Sequence, residues 1–99
     1  MSSATETPVR KPRAGDPGGG LDAPWQVIVL NDDHNTFDGV AFALSSVLPG
    51  VSFDRGMAFA NTIHSSGRAV VWSGHKEQAE LYWEQLKGYG LTMAPLDRV

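Results

Sequence analysis

The 99-residue chain contains no cysteine. Disulfide bridges, thiolate nucleophiles and zinc sites built on cysteine are therefore excluded. The sequence also has no apolar run approaching the roughly 18 residues of a membrane-spanning helix, and it has no secretory signal. These absences predict a cytoplasmic protein with no membrane partner.

Positive charge is scarce as well, since eight Lys and Arg face eleven Asp and Glu, a net charge of −3. Affinity for nucleic acid comes mainly from neutralising phosphates with Lys and Arg. A mildly acidic chain is a poor nucleic-acid binder, and we expect no nucleic-acid partner.

Motifs for catalysis and cofactor binding are missing too. No serine lies in a G-x-S-x-G turn, and no glycine-rich phosphate loop follows a predicted strand. The three histidines, His34, His64 and His75, do not have the spacing of a metal motif. We therefore expect no enzyme, no metal and no cofactor. One catalytic alternative stays open, in which Asp32 and His64 form a hydrogen-bonded general base.

The first 24 residues differ in composition from the rest of the chain. They contain four of the six prolines and four of the eleven glycines, and they contain no aromatic residue. They also lack apolar periodicity, which predicts a disordered tail over residues 1–23. One small core domain is then expected over residues 24–99, and we expect a monomer.

Apolar spacing predicts a strand followed by two helices. The run W-Q-V-I-V-L at 25–30 is typical of a strand buried largely on both faces. Apolar residues then recur at helical spacing from Phe37 to Leu48, with Asn35 as the predicted N-cap and Asp38 at N3. A second helix is predicted from Ser52 to about Ser66, ending at Gly67.

The second half of the chain predicts a strand over 68–73, a helix over 76–87 and a short strand over 91–96. Pro95 marks the last strand as an edge. The predicted fold class is thus α+β, a single small domain with the order β-α-α-β-α-β and a three-stranded antiparallel sheet packed against helices.

Short polar side chains are concentrated directly after the first strand. Asn31, Asp32 and Asn35 carry oxygens that can accept the three N–H donors of an ammonium group. His64 ends the second helix just before Gly67, and together these residues predict a small site for a cationic amine. Two alternatives remain, a turn and cap cluster at 31–33 and a helix-end histidine that interacts with the helix dipole.

Three blocks of this sequence resemble the ClpS family of Clp protease adaptors. They are N-D-D at 31–33, H-x-x-G-R-A-V at 64–70 and E-x-A-E at 77–80, where the family reads N-D-D-x-T-P-M-E, V-H-x-x-G-K-A and A-E-x-A-E. The resemblance covers about residues 24–97. It implies an adaptor that binds N-degron proteins, whose first residue is Leu, Phe, Tyr or Trp, and hands them to an AAA+ unfoldase such as ClpA or ClpC.

The same resemblance implies roles for individual residues. Asn31, Asp32 and His64 would hold the substrate's α-amino group. The hydrophobic pocket would be formed by Asn35, Phe37, Ala60, Ile63 and Thr92. The N-terminal domain of the unfoldase would contact the third helix through Glu77, Glu80 and Tyr82.

Several positions depart from the family pattern. Ala60 and Phe37 each stand where the family has Met, Asn35 stands where it has Thr, and Thr36 stands where it has Pro. Tyr82 replaces the family's Lys. The change at Ala60 opens space in the pocket wall and favours Phe, Tyr or Trp over Leu; the alternative is that Phe37 fills this space itself and shrinks the pocket. The alternative is a scaffold with the ClpS fold and no working N-degron pocket.

Overall fold

The computed structural model describes residues 23–98, so the predicted tail lies outside the described residues apart from Ala23. Within this range the chain forms a small α+β domain with three helices, which confirms the predicted class. In chain order the elements are β1 (Trp25–Leu30), α1 (Phe37–Val47), α2 (Phe53–Ser66), β2 (Arg68–Gly74), α3 (Lys76–Gly88) and β3 (Asp97–Arg98).

The sheet consists of two full strands and one very short strand. β1 and β2 pair antiparallel over their whole lengths, with a register shift between Val27 and Ile28. β3 pairs with the start of β1 through only two residues, which gives the sheet order β2-β1-β3.

The predicted third strand over 91–96 is wrong in its position. That segment follows β1 without forming a continuous ladder, because only Met93 bridges to β1, opposite Val29. The pairing changes register by one residue between Met93, opposite Val29, and Asp97, opposite Gln26, so regular pairing resumes only at Asp97.

β1 is not buried on both faces as predicted. Val27 and Val29 are fully buried, whereas the residues between and beside them are half-buried. This alternation is that of a strand with one face on the core.

The helix caps match the sequence prediction at one helix and correct it at another. Ser52 caps α2 by accepting from the Arg55 N–H, and Gly67 ends it with φ 90°. α1, however, is capped by Thr36, whose Oγ1 accepts from the Gly39 N–H over 2.9 Å. The predicted cap, Asn35, is wrong because its side chain bonds elsewhere.

α1 and α2 cross very closely at Gly56. This glycine is buried, and a Cβ at its position would lie 2.8 Å from the Ala41 carbonyl oxygen. A glycine in a helix costs up to about 1 kcal/mol relative to alanine. The close crossing gives the reason for accepting that cost here.

One core cluster holds the helices against the sheet. α3 contributes Ala79 and Leu86, which are both fully buried, and half-buried Tyr82 packs beside them. The buried members of the cluster are Val27, Val29, Val40, Ala43, Leu44, Leu48, Ala60, Ile63, Ala69, Val71, Ala79, Leu86 and Leu91.

Candidate functional site

The two polar blocks of the sequence meet at the end of the β1–β2 ladder. Leu30 pairs with Arg68, and the next residue, Asn31, donates its backbone N–H to the Gly67 carbonyl over 2.9 Å. This bond ties the loop after β1 to the end of α2, where His64 lies in the last turn. Antiparallel pairing is therefore what brings Asn31 and His64 to one side of the domain.

The Asp32 carboxylate organises the loop that follows. One oxygen accepts from the backbone N–H groups of His34 and Asn35, at 3.1 and 2.8 Å. The other accepts from Asn35 Nδ2 at 2.8 Å and from the Thr92 hydroxyl at 2.7 Å. Asn35 Nδ2 also donates to the Gly90 carbonyl over 2.9 Å, so the loop is fixed to the end of α3 as well.

These four hydrogen bonds determine the ionisation of Asp32. Burial by itself would raise the pKa of this carboxyl group, but the bonds from Thr92, Asn35 and His34 together outweigh burial and hold the pKa well below its usual range. A carboxylate offers about four lone-pair sites, and all four are occupied here. Asp32 can thus supply negative charge to the site but has no free position for a further direct donor.

Beside this loop lies a narrow pocket between β1 and the two helices α1 and α2. Its cavity volume is about 40 Å³, room for a few water molecules only. The polar mouth and the apolar wall together are lined by Val29, Leu30, Asn31, Asp32, Asn35, Phe37, Val40, Ala60, Ile63, His64 and Leu91.

Two aromatic rings stand together at the pocket. Phe37, the first residue of α1, meets the His64 imidazole edge-on with ring centroids 5.3 Å apart. Phe37 is 37% exposed although it is a large apolar residue. Its ring therefore belongs to the rim of the pocket and not to the core.

The structure brings together seven of the eight residues predicted for the amine site and the pocket. The exception is Thr92, which is not part of the lining, because its hydroxyl is used on Asp32. Sequence reasoning missed the four other lining residues, Val29, Leu30, Val40 and Leu91. Val40 lies on the apolar face of α1, and Leu91 directly follows Gly90, whose φ of 95° turns the chain back toward β1.

The residues predicted for the unfoldase interface divide into two kinds. Glu77 and Glu80 are exposed on the first turns of α3. Tyr82 is half-buried and packs its ring edge-on against Trp72 of β2, at 4.9 Å. The exposed neighbour of Tyr82 is Leu81, at 52%.

No group of three or more His, Asp or Glu side chains in residues 23–98 could hold a metal ion. No helix in the same range is both long and apolar enough to cross a membrane.

Comparison with known proteins decides the family. The family model described as ATP-dependent Clp protease adaptor protein ClpS matches residues 21–94. The chain belongs to the ClpS family. This covers the whole site, from Asn31 to Leu91, and nearly all of the folded domain.

Two cyanobacterial ClpS proteins are close relatives over the same region. The ATP-dependent Clp protease adapter protein ClpS of Thermosynechococcus vestitus is 53% identical over 73 residues, covering 74% of this chain and 78% of the relative. That of Synechocystis sp. is 51% identical over 74 residues, covering 75% and 76%. Like these ClpS proteins, the chain is an adaptor of the Clp protease.

A solved ClpS structure has the same fold. It is Agrobacterium tumefaciens ClpS2 bound to L-phenylalaninamide, with a TM-score of 0.72 and 25% identity. The match covers 79% of this chain and 99% of the ClpS2 chain. ClpS adaptors work with Clp AAA+ proteases and their substrates, and the family description is of an adaptor and not of a protease.

Proposed function

We propose that this ClpS protein binds the first residue of N-degron substrates, through a free α-amino group and a bulky hydrophobic side chain. The observation that carries the proposal is the pocket whose apolar wall ends in a polar mouth of Asn31 and His64 beside the Asp32 carboxylate. The ligand of the related ClpS2, L-phenylalaninamide, combines the same two features, a primary amine and an apolar ring.

The amine is held by acceptors and by charge. An ammonium group has three N–H donors, and the Asn31 side-chain oxygen and a neutral imidazole nitrogen of His64 can accept two of them. Asp32 contributes its negative charge from close by, because its own lone pairs are already used. Hydrogen bonds to charged groups are stronger than those between neutral groups, so this site would prefer a substrate with a free, charged N-terminus.

The substrate's side chain enters the apolar part of the pocket. A cavity of about 40 Å³ is too small for Leu, Phe, Tyr or Trp, so the rim has to move when a substrate binds. Phe37 is the residue to move, because it is partly exposed and contacts His64 through only one ring edge. Ala60 at the wall then leaves room for an aromatic first residue in preference to Leu.

Delivery would use residues of α3 that do not line the pocket. We propose that a ClpA- or ClpC-type unfoldase docks through its N-terminal domain on α3, at exposed Glu77 and Glu80. Tyr82 supports this surface from behind by packing on Trp72. Residues 1–22 lie outside the described residues. We propose that they are dispensable for peptide binding and needed for delivery. Delivery takes place in the cytoplasm, where ATP for the protease is available.

Fluorescence anisotropy with peptides that differ only at residue 1 tests the proposal. Peptides beginning with Leu, Phe, Tyr or Trp should bind about 10- to 100-fold more tightly than one beginning with Ser. The reason is that burying a large apolar side chain contributes about 1.5–3 kcal/mol to the binding free energy. N-acetylation of the Phe peptide should abolish this advantage. An acetylated peptide that binds within twofold of the free one would show that the amine site is misassigned.

The second possibility, a scaffold without a pocket, is not favoured, because residues 23–98 form a pocket with the polar mouth described above. Equal affinity for all members of the peptide panel would revive it.

A further inference from the structure

A second concave surface lies on the domain, apart from the amine site. We call it the α3 groove. It is open, with a volume of about 530 Å³, and it is lined by Glu80, Trp83, Glu84, Met93, Pro95 and Leu96. Its lining is mostly apolar, with two glutamates one helical turn apart, and it shares no residue with the narrow pocket.

The floor of the groove is firmly held. Trp83 donates its indole N–H to the Ala94 carbonyl over 2.7 Å, which fixes the segment after α3 against the helix. Lys87 Nζ lies 5.0 Å from the centroid of the Trp83 ring. The floor is thus an anchored aromatic ring that already engages one cation.

The chain leaves the described residues close to this groove. Trp25 at the start of β1 pairs with Arg98, and Leu96 of the groove lies two positions before Arg98. Paired strand residues lie about 5 Å apart, and two residues span at most about 7 Å. Trp25 therefore lies within about 12 Å of Leu96, and the ten residues from Arg13 to Ala23 can extend over at most about 33 Å.

The sequence of that N-terminal segment has the chemistry that fits. Arg10, Lys11 and Arg13 are three of its cations within four positions, and Pro8 and Pro12 alternate with them. Proline-rich segments favour the extended polyproline II conformation and dock in grooves lined by aromatic rings. The cations complement the Glu80 and Glu84 carboxylates at the groove.

We propose that residues 8–13 of this chain dock in the α3 groove, with proline against Trp83 and the cations against Glu80 and Glu84. Because Glu80 also lies on the surface proposed for the unfoldase, tail and partner would compete for it. The docking itself does not depend on what the narrow pocket binds.

Paramagnetic relaxation measured by NMR on the full chain tests this proposal. The absence of native cysteine allows one nitroxide label at Thr7→Cys without further substitutions. We expect at least a fivefold loss of signal at the Trp83 indole N–H and the Met93 amide, relative to the reduced label. Uniform broadening, or none at the groove, would overturn the proposal.

Matched variants identify the contacts. Replacing Arg10, Lys11 and Arg13 together by Gln leaves every residue of the core cluster unchanged, and it should return the groove signals to the level of the rest of the domain. Glu80→Gln with Glu84→Gln should do the same, whereas Glu77→Gln, on the same helix and outside the groove, should not. Persistence of the effect in the triple variant would contradict the proposed contacts.

A mixed sample separates docking within one chain from docking between two. Isotope-labelled protein without nitroxide is combined with nitroxide-labelled protein at natural isotope abundance. We expect no loss at Trp83 in this sample. A loss as large as in the singly labelled chain would show that a second copy fills the groove and would overturn the proposal.

Discussion

The Thr92 hydroxyl donates a 2.7 Å hydrogen bond to the Asp32 carboxylate, across 60 positions of the sequence. This bond, with that from Asn35 to Gly90, fixes the loop after β1 to the chain that follows α3. The polar mouth of the pocket therefore depends on residues from both halves of the domain.

Asp32→Asn should destabilise the domain by about 1–3 kcal/mol at pH 7, because an amide cannot accept four hydrogen bonds and leaves donors unpaired. Urea unfolding measures this, and Asp33→Asn, which changes an exposed neighbour, is the control. Equal effects of the two substitutions would mean that the carboxylate does not organise the loop.

The same variant should change the pH dependence of stability. Since the pKa of Asp32 is depressed in the folded state, its contribution is fully present above the unfolded pKa of about 3.9 and is lost as pH falls toward the folded value. The difference in unfolding free energy between wild type and Asp32→Asn should thus be smaller at pH 3 than at pH 7. A difference that stays constant would contradict the depressed pKa.

Asn31→Ala should weaken the binding of a Phe-initiated peptide about 5- to 100-fold, since a hydrogen bond to a charged group contributes about 1–3 kcal/mol. Stability should change little, because the Asn31 side chain makes no hydrogen bond within residues 23–98 and its backbone bond to Gly67 is retained. Anisotropy gives the affinity, and Asn61→Ala, an exposed asparagine of α2, is the control. An unchanged affinity would remove Asn31 from the amine site.

Ala60→Met should weaken the binding of a Trp-initiated peptide more than that of a Leu-initiated peptide, because the added side chain fills the pocket wall. A suitable comparison is Ala58→Met, two residues away on the same helix and exposed. Equal losses for both peptides, or tighter binding of Trp, would mean that Ala60 does not set the preference.

Gly56→Ala should destabilise the domain by about 1–3 kcal/mol, the usual cost of overpacking, because the new Cβ meets the Ala41 carbonyl oxygen. The control is Gly88→Ala at the end of α3, where a Cβ meets nothing within 4 Å. That control should be neutral or stabilising by up to about 1 kcal/mol. Thermal unfolding compares the two, and a stabilised Gly56→Ala variant would contradict the close crossing.

A truncated chain that starts at Ala23 should bind the peptide panel with wild-type affinity but fail to stimulate degradation by the protease. The pocket is lined only by residues between Val29 and Leu91, whereas we propose that the unfoldase engages the missing segment. A degradation assay with purified Clp protease measures the second effect. Undiminished degradation would contradict the delivery role of the tail.

Much of the fold follows from local pattern in the sequence. β1 and all three helices lie within a residue or two of their predicted ends, since apolar periodicity and the signals at Ser52 and Gly67 act over a few residues only. The position of the last strand is predicted wrongly, because the change of register between Met93 and Asp97 depends on β1, a partner that lies far away in sequence.

The site was predicted less completely, for reasons of distance along the chain. Asn35 was assigned as a helix cap, and its real partners include Gly90, 55 positions away. Thr92 was placed in the pocket, and Leu91 lines it instead, because the turn at Gly90 decides which of two neighbouring side chains faces inward. No periodicity in the sequence reports such a turn.

The bond from the Asn31 N–H to the Gly67 carbonyl has a consequence for how such a site can diversify. It belongs to the main chain, so the placement of Asn31 beside the end of α2 does not require a side-chain hydrogen bond. We propose that the preference for one substrate side chain over another rests on Phe37 and Ala60, which lie on separate helices. Under that proposal, substitution at these two positions alters which amino acid is preferred and leaves the requirement for a free N-terminus unchanged.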